Sequence, residues 1–156
     1  MAEEKKIGAI KEELQAAEDS MLPDFIARYE KDERSGVKSL VEKAGKRIQK
    51  LEAEYARIEN LKKYEKEYAD AGYICGIDEV GRGPLAGPVV AGAVILPKDC
   101  DILYINDSKK LSASMREKLY DEIMEKAVAT GIGMAGPGRI DEINILQATY
   151  EAMRMA

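Results

Sequence analysis

Residues 73–96, YICGIDEVGRGPLAGPVVAGAVIL, decide the fold of the second half of the chain. Two apolar runs, residues 73–77 and 88–96, flank a turn rich in glycine and proline. A continuous apolar run bounded by such breakers is typical of a β-strand covered on both faces. We therefore expect two buried strands joined by a rigid turn.

The adjacent carboxylates Asp78 and Glu79 lie where the first strand meets the turn. Charged groups at the end of an apolar strand are costly unless they are paired or bind a metal. Because successive strand side chains point to opposite faces, both acids reach one site only if the strand breaks, and Val80-Gly81 offers that break. The simpler alternative is that both acids pair with Arg82 and stabilise the turn.

The remainder of the second half alternates helix and strand signals. After INDSKKLS at residues 105–112, Ser112 or Ser114 is expected to cap a helix, and residues 132–135 suit a further strand. Asp141 is expected to cap a last helix. Its predicted buried stripe consists of Ile143, Leu146, Tyr150 and Met153. This order of elements predicts an α/β sheet.

Residues 1–70 are dense in Glu and Lys, and their apolar residues recur at spacings of three and four. That period predicts a helical hairpin or small bundle, with Ser39 and Glu42 as a capping box for its long helix. We expect a helical extension at 1–70 and an α/β domain at 71–156. The extension is either a structural appendage or, through the basic residues between 34 and 50, an extension of a nucleic-acid groove.

Composition limits the function. A net charge of −5 and a pI near 5.0 disfavour nucleic-acid binding by bulk positive charge, so any such contact has to be local. With no histidine and two cysteines that lack metal spacing, zinc sites are excluded. The N-terminus is too polar for a signal peptide, and no apolar run reaches about 20 residues. We expect a cytoplasmic protein without membrane contact.

Three ordered segments, GIDEVGRGPLAGPVVAGAVIL, INDSKKLS and IDEINILQATYEAM, resemble the signature segments of bacterial ribonuclease HII. The resemblance covers residues 73–156, and the helical part resembles an extension that some members carry. It implies a ribonuclease H-like fold, a mixed sheet with flanking helices. It also implies an endonuclease that hydrolyses the RNA strand of RNA/DNA hybrids, including 5′ to single ribonucleotides embedded in DNA.

The resemblance assigns roles to five residues of the first segment. Asp78 and Glu79 match two members of the family's four-carboxylate catalytic site, which holds Mn²⁺ or Mg²⁺ for two-metal-ion hydrolysis. Gly81, Arg82 and Gly83 match the motif that reads the ribose 2′-hydroxyl and the adjoining phosphate. These residue types suit that chemistry, because hard cations prefer carboxylate oxygens and glycine lets the backbone approach a sugar closely.

Ser108 and Lys109 match residues that hold the nucleic-acid backbone, while Lys110 and Arg116 are expected to be solvated and Asp107 to cap a turn. The family's two further aspartates come from later segments, and this sequence ends first. We therefore expect an incomplete catalytic domain with little activity and marginal stability. The alternative is a non-catalytic, hybrid-binding remnant or interaction module, and no protein partner is indicated.

Overall fold

A computed structural model describes residues 5–156 of the chain. It divides into two compact units, the first ending at Asn60 and the second beginning at Leu61. The first four residues of the expected extension lie outside the described residues. The expected domain boundary between residues 70 and 71 stays a prediction.

The first unit is helical, as the three-and-four spacing predicted. Helix α1 spans Ile7–Ala16, a 3₁₀ turn spans Asp19–Met21, α2 spans Leu22–Tyr29, and α3 spans Ser35–Leu61. Helices α1, α2 and the first part of α3 enclose a core made of Ile10, Leu14, Leu22, Phe25, Tyr29, Val37, Leu40 and Ala44. The expected capping box was wrong, because α3 begins at Ser35 and so Ser39 lies inside the helix.

Much of the basic charge between residues 34 and 50 is neutralised within the first unit. Lys46 pairs with Glu42 at 2.5 Å, and Arg47 pairs with Asp19 at 2.6 Å. Arg34 pairs with Asp32 at 2.5 Å. These ion pairs favour the interpretation of the helical extension as a structural appendage over a free basic face.

The second unit combines helices with one sheet. Its helices are α4 (Lys63–Glu67), α5 (Ala113–Lys126) and α6 (Pro137–Met155), with 3₁₀ turns at Ala69–Ala71 and Ser108–Lys110. Its strands are β1 (Cys75–Val80), β2 (Val89–Ile95) and β3 (Ala129–Ala135), in the order β1-β2-β3. The α/β class is confirmed. Between residues 5 and 156 every strand pair is antiparallel, so no mixture of strand directions is found there.

Strand β1 departs from the expected pair of buried strands. Five of its six residues are exposed, whereas Val89, Ala91 and Ala93 of β2 are buried. The reason is position, because β2 has a neighbour on each side and β1 lies at the edge of the described sheet. Within the described residues β1 therefore has the exposure of an edge strand.

Helix α6 packs closely on one face of the sheet. The shared core consists of Val89, Ala91, Ala135, Ala148 and Ala152. These are small side chains, and β3 adds two glycines on the same face. A Cβ added to Gly131 would lie 2.0 Å from the carbonyl oxygen of Ala156, and one added to Gly133 would lie 2.0 Å from that of Ala152. The close approach of helix and strand therefore depends on the absence of side chains at these two positions.

Helix α6 is kinked at Asn144, whose φ of 67° and ψ of 162° are not helical. Asp141 was wrongly expected to cap this helix, because α6 begins at Pro137 and Asp141 lies within it. The predicted stripe was also wrong in part, since Leu146 and Tyr150 are exposed and Ala148, Thr149 and Ala152 are buried instead. The kink rotates the second part of the helix and changes which positions face the sheet.

An ion-pair brace spans the kink. Arg139, before Asn144, donates to Glu151, after it, with a closest distance of 2.8 Å, and to Glu142 at 2.9 Å. The two segments of α6 are thus joined by side chains as well as by the backbone. No helix in the described part of the chain has both the length and the apolar character needed to cross a membrane.

Candidate functional site

The two adjacent carboxylates occupy neighbouring positions within β1. Asp78 lies opposite Gly92 of β2, and Glu79 lies opposite Ala91, which is buried beneath α6. Because directly opposed strand residues share a face, the two side chains leave the backbone on opposite faces of the sheet. The expected break at Val80-Gly81 comes one residue late, since Val80 still pairs with Val90. A ligand shared by both carboxylates has to lie at the open edge of β1.

The two carboxylates have different partners. Glu79 accepts a hydrogen bond from Arg82 at 3.3 Å, and its side chain is 21% exposed. Asp78 is exposed and accepts from the backbone N–H of Glu79 at 2.9 Å. Among residues 5–156 Asp78 forms no ion pair. The alternative in which both acids pair with Arg82 therefore holds for Glu79 alone.

The turn after β1 depends on the glycine at position 81. Gly81 has a φ of +87°, and a Cβ placed there would lie 2.3 Å from the carbonyl oxygen of Pro88. A Cβ on Gly83 would meet nothing within 4 Å. Of these two motif glycines, the backbone conformation therefore requires the first, while the second leaves an open surface beside Arg82.

Ser108 and Lys109 lie on a 3₁₀ turn with hydrogen-bonded ends. Asp107 caps it by accepting from the Lys109 N–H at 2.9 Å, and Ser112 caps α5 by accepting from the Met115 N–H at 3.2 Å. Both capping roles are confirmed. Arg116 also contacts this turn, which sequence patterns did not indicate because the contact depends on how α5 folds back beside it.

An open cleft of about 990 Å³ brings these parts together. It lies over the sheet face opposite α6. Its lining includes Asp78, Glu79, Val80, Asn106, Asp107, Ser108, Lys109, Arg116 and Tyr120. Gly81, Arg82 and Gly83 are not part of the lining, but they directly follow Val80, which is. Four of the seven predicted site residues thus border one cleft. The other three follow a lining residue in the sequence but are not part of the lining.

The donor set of the cleft suits a hard divalent cation in part. Carboxylate oxygens are what Mg²⁺ and Mn²⁺ prefer, and Mg²⁺ commonly keeps several waters beside one or two carboxylates. Asp78 offers such oxygens on one face of β1 and Glu79 on the other, so both could reach one ion only at the strand edge. Within the described ranges, however, no cluster of three or more acidic, His or Cys side chains is arranged to hold a metal ion. The two carboxylates would supply only part of a coordination shell.

Two family models match the chain. One, described as the ribonuclease HII N-terminal domain, matches residues 6–69, and the other, ribonuclease HII, matches residues 75–156. A ribonuclease HII of Lachnoclostridium phytofermentans is 62% identical over 97% of this chain and 59% of its own length. One of Enterococcus faecalis is 51% identical over 100% of this chain and 61% of its own. The chain thus spans about three fifths of these curated relatives.

A solved structure also shows similarity to the chain. The crystal structure of the ribonuclease H2 from Pyrococcus horikoshii OT3 is 30% identical, with a TM-score of 0.40. The match covers 51% of this chain and 41% of that one.

Proposed function

The chain belongs to the ribonuclease HII family, and from that membership we propose that it acts as an endonuclease on the RNA strand of RNA/DNA hybrids. The proposal includes cleavage 5′ to a single ribonucleotide embedded in DNA. Because the chain spans about three fifths of its relatives, this activity is proposed for the protein to which these residues contribute.

The observation that carries the proposal is the shared cleft. Asp78 lines the same open cleft as Ser108 and Lys109, although about thirty positions separate them in the sequence. A nucleic-acid strand in this cleft would meet a hydroxyl and an ammonium group suited to phosphate oxygens, and a carboxylate that could hold a divalent cation beside the reacting phosphate. The positive charge of Lys109 matters because the chain as a whole is acidic.

The turn at residues 81–83 supports recognition of a ribose. Gly83 has open space where a side chain would lie, so its backbone is accessible to a sugar. Arg82 is half-exposed, and its 3.3 Å pair with Glu79 is long enough to be exchanged for a phosphate. A backbone group beside the 2′-hydroxyl would distinguish RNA from DNA, since that hydroxyl both donates and accepts.

We assign a divalent cation, Mg²⁺ or Mn²⁺, to the carboxylates Asp78 and Glu79. When bound, such an ion lowers the pKa of a coordinated water and so supplies the nucleophile for phosphodiester hydrolysis. The chain's own contribution is to hold the two carboxylates on either side of the β1 edge and to keep Lys109 across the cleft. Arg82 balances the charge of Glu79.

The test uses a labelled DNA duplex that contains one ribonucleotide, incubated with Mg²⁺ or Mn²⁺ and the protein to which these residues contribute. We expect that protein to cleave 5′ to the ribonucleotide, and we expect Asp78→Asn to abolish the cleavage. Asp99→Asn is the matched control, because Asp99 is exposed in the loop after β2 and does not line the cleft.

Binding is measured separately, by fluorescence anisotropy with hybrid and all-DNA duplexes in the absence of divalent metal. Selective hybrid binding without cleavage would favour the non-catalytic binding module. Equal binding to both duplexes, with no cleavage, would overturn the proposal.

A further inference from the structure

We infer that Arg116 is a positioning residue that fixes the turn carrying Ser108 and Lys109 in the shape that holds a nucleic-acid backbone. The inference rests on the proposed function for the identity of the ligand. The contact itself does not depend on that function. It assigns a specific role to a side chain that the sequence indicated as merely solvated.

Arg116 ties the turn to helix α5 at two points. Its Nη1 donates to the carbonyl oxygen of Leu111 at 2.7 Å and to that of Ser108 at 3.3 Å. These two carbonyls bracket Lys109 and Lys110 in the sequence. One guanidinium nitrogen, which carries two N–H donors, thus closes the turn at both ends.

The other side-chain hydrogen bonds described for residues 106–112 are local. Asp107 bonds to Lys109 two positions away, and Ser112 bonds to Met115 three positions away. Such short-range bonds shape a turn but do not fix it to another element. Arg116 reaches back eight residues to Ser108, so it sets where the turn lies relative to α5 and the cleft.

Charge strengthens this contact. Hydrogen bonds from a cationic donor contribute more than neutral ones. Arg116 also lies beside Lys109 and Lys110 on an acidic chain, and the turn is exposed. Without Arg116, the turn would be anchored only by its local bonds, and Lys109 would sample more positions.

In a second interpretation, Arg116 binds a phosphate directly instead of positioning Lys109. A direct ligand contributes independently of Lys109, whereas a positioning residue acts through it. A double-mutant cycle separates the two, because residues that act as a unit give non-additive effects. Salt dependence gives a second measure, since each lost phosphate contact lowers the slope of log K against log salt by about 0.7 to 0.9.

The experiment measures the Kd of the chain for an RNA/DNA hybrid with Arg116→Ala, Lys109→Ala and the double variant. We expect Arg116→Ala to weaken binding by about tenfold and the double variant to be little weaker than the more severe single variant. Arg116→Lys keeps a cation with several N–H donors on one nitrogen, and we expect it to restore part of the binding, because a single nitrogen makes both contacts. Lys118→Ala is the matched control, as an exposed cation two residues along α5.

Amide hydrogen exchange tests the contact without any nucleic acid. Faster exchange at the Lys110 and Leu111 amides in Arg116→Ala, with no change in Lys118→Ala, would support the positioning role. Unchanged exchange at these amides would overturn it, and so would additive losses in the cycle. If the wild-type protein to which these residues contribute does not bind hybrid, the proposed function fails, while the exchange result still decides the role of Arg116.

Discussion

The α-carbon of Gly81 approaches the carbonyl oxygen of Pro88 so closely that a Cβ would lie 2.3 Å from it. The clash is with backbone, and the φ of +87° is strained for any side chain, so the turn has to move to accept one. We expect Gly81→Ala to lower the free energy of unfolding by about 1–3 kcal/mol, measured by urea denaturation.

Gly83→Ala is the control for this turn, because its Cβ would meet nothing within 4 Å. We expect a change in stability within about 0.5 kcal/mol. Equal losses for the two variants would mean that the close approach at Gly81 does not hold the turn.

The close contact between β3 and α6 leads to a second prediction. A Cβ on Gly133 would lie 2.0 Å from the carbonyl oxygen of Ala152 and 2.7 Å from the Cβ of Met155. Gly133→Ala should therefore lower the melting temperature and reduce the free energy of unfolding by about 1–3 kcal/mol. Gly92→Ala, on the other face of the neighbouring strand and free of contacts within 4 Å, should leave stability unchanged or raise it slightly. A larger loss of stability for Gly92→Ala than for Gly133→Ala would contradict this packing of β3 against α6.

Variants at the kink in α6 distinguish the cost of backbone strain at Asn144 from the stabilisation by its capping hydrogen bonds. Asn144 accepts hydrogen bonds from the N–H groups of Leu146 at 3.0 Å and Gln147 at 3.1 Å, in a conformation that otherwise suits glycine. Asn144→Ala removes the two capping hydrogen bonds and places an alanine in this strained conformation. We expect it to lower the free energy of unfolding by about 1–3 kcal/mol. Asn144→Asp keeps the cap and Asn144→Gly relieves the strain, so both should be more stable than Asn144→Ala in thermal denaturation. A kink without a stabilising role would leave all three variants alike.

The first unit should lose stability in acid. Hydrogen bonds from Arg34 lower the pKa of Asp32 from 3.8 to about 2. Because the folded pKa lies below the unfolded one, this stabilisation is complete above pH 3.8 and disappears as the pH falls towards 2. Circular dichroism of the helices against pH should show a shallower acid transition for Asp32→Asn. Asp24→Asn, an exposed acid on α2, should keep the wild-type profile.

The sequence predicted what depends on local spacing. The strands around Asp78, the caps at Asp107 and Ser112, and the helical first unit each follow from signals within a few residues. What it missed depends on distant parts of the chain. The exposure of β1 follows from its place at the sheet edge, and the tie between Arg116 and Ser108 follows from how α5 turns back. The Asn144 kink lay inside an apparently regular helical pattern, so the predicted face of α6 was rotated.

Within the described residues, Asp78 and Glu79 lie on an edge strand, which affects how this chain behaves in solution. An edge strand offers unpaired backbone groups to another chain, and charged side chains on it oppose such pairing. The exposed charge of Asp78 therefore disfavours edge-to-edge pairing between copies of this chain. Asp78→Asn removes that charge, so the variant needs light-scattering measurements beside its activity assay to distinguish lost chemistry from aggregation.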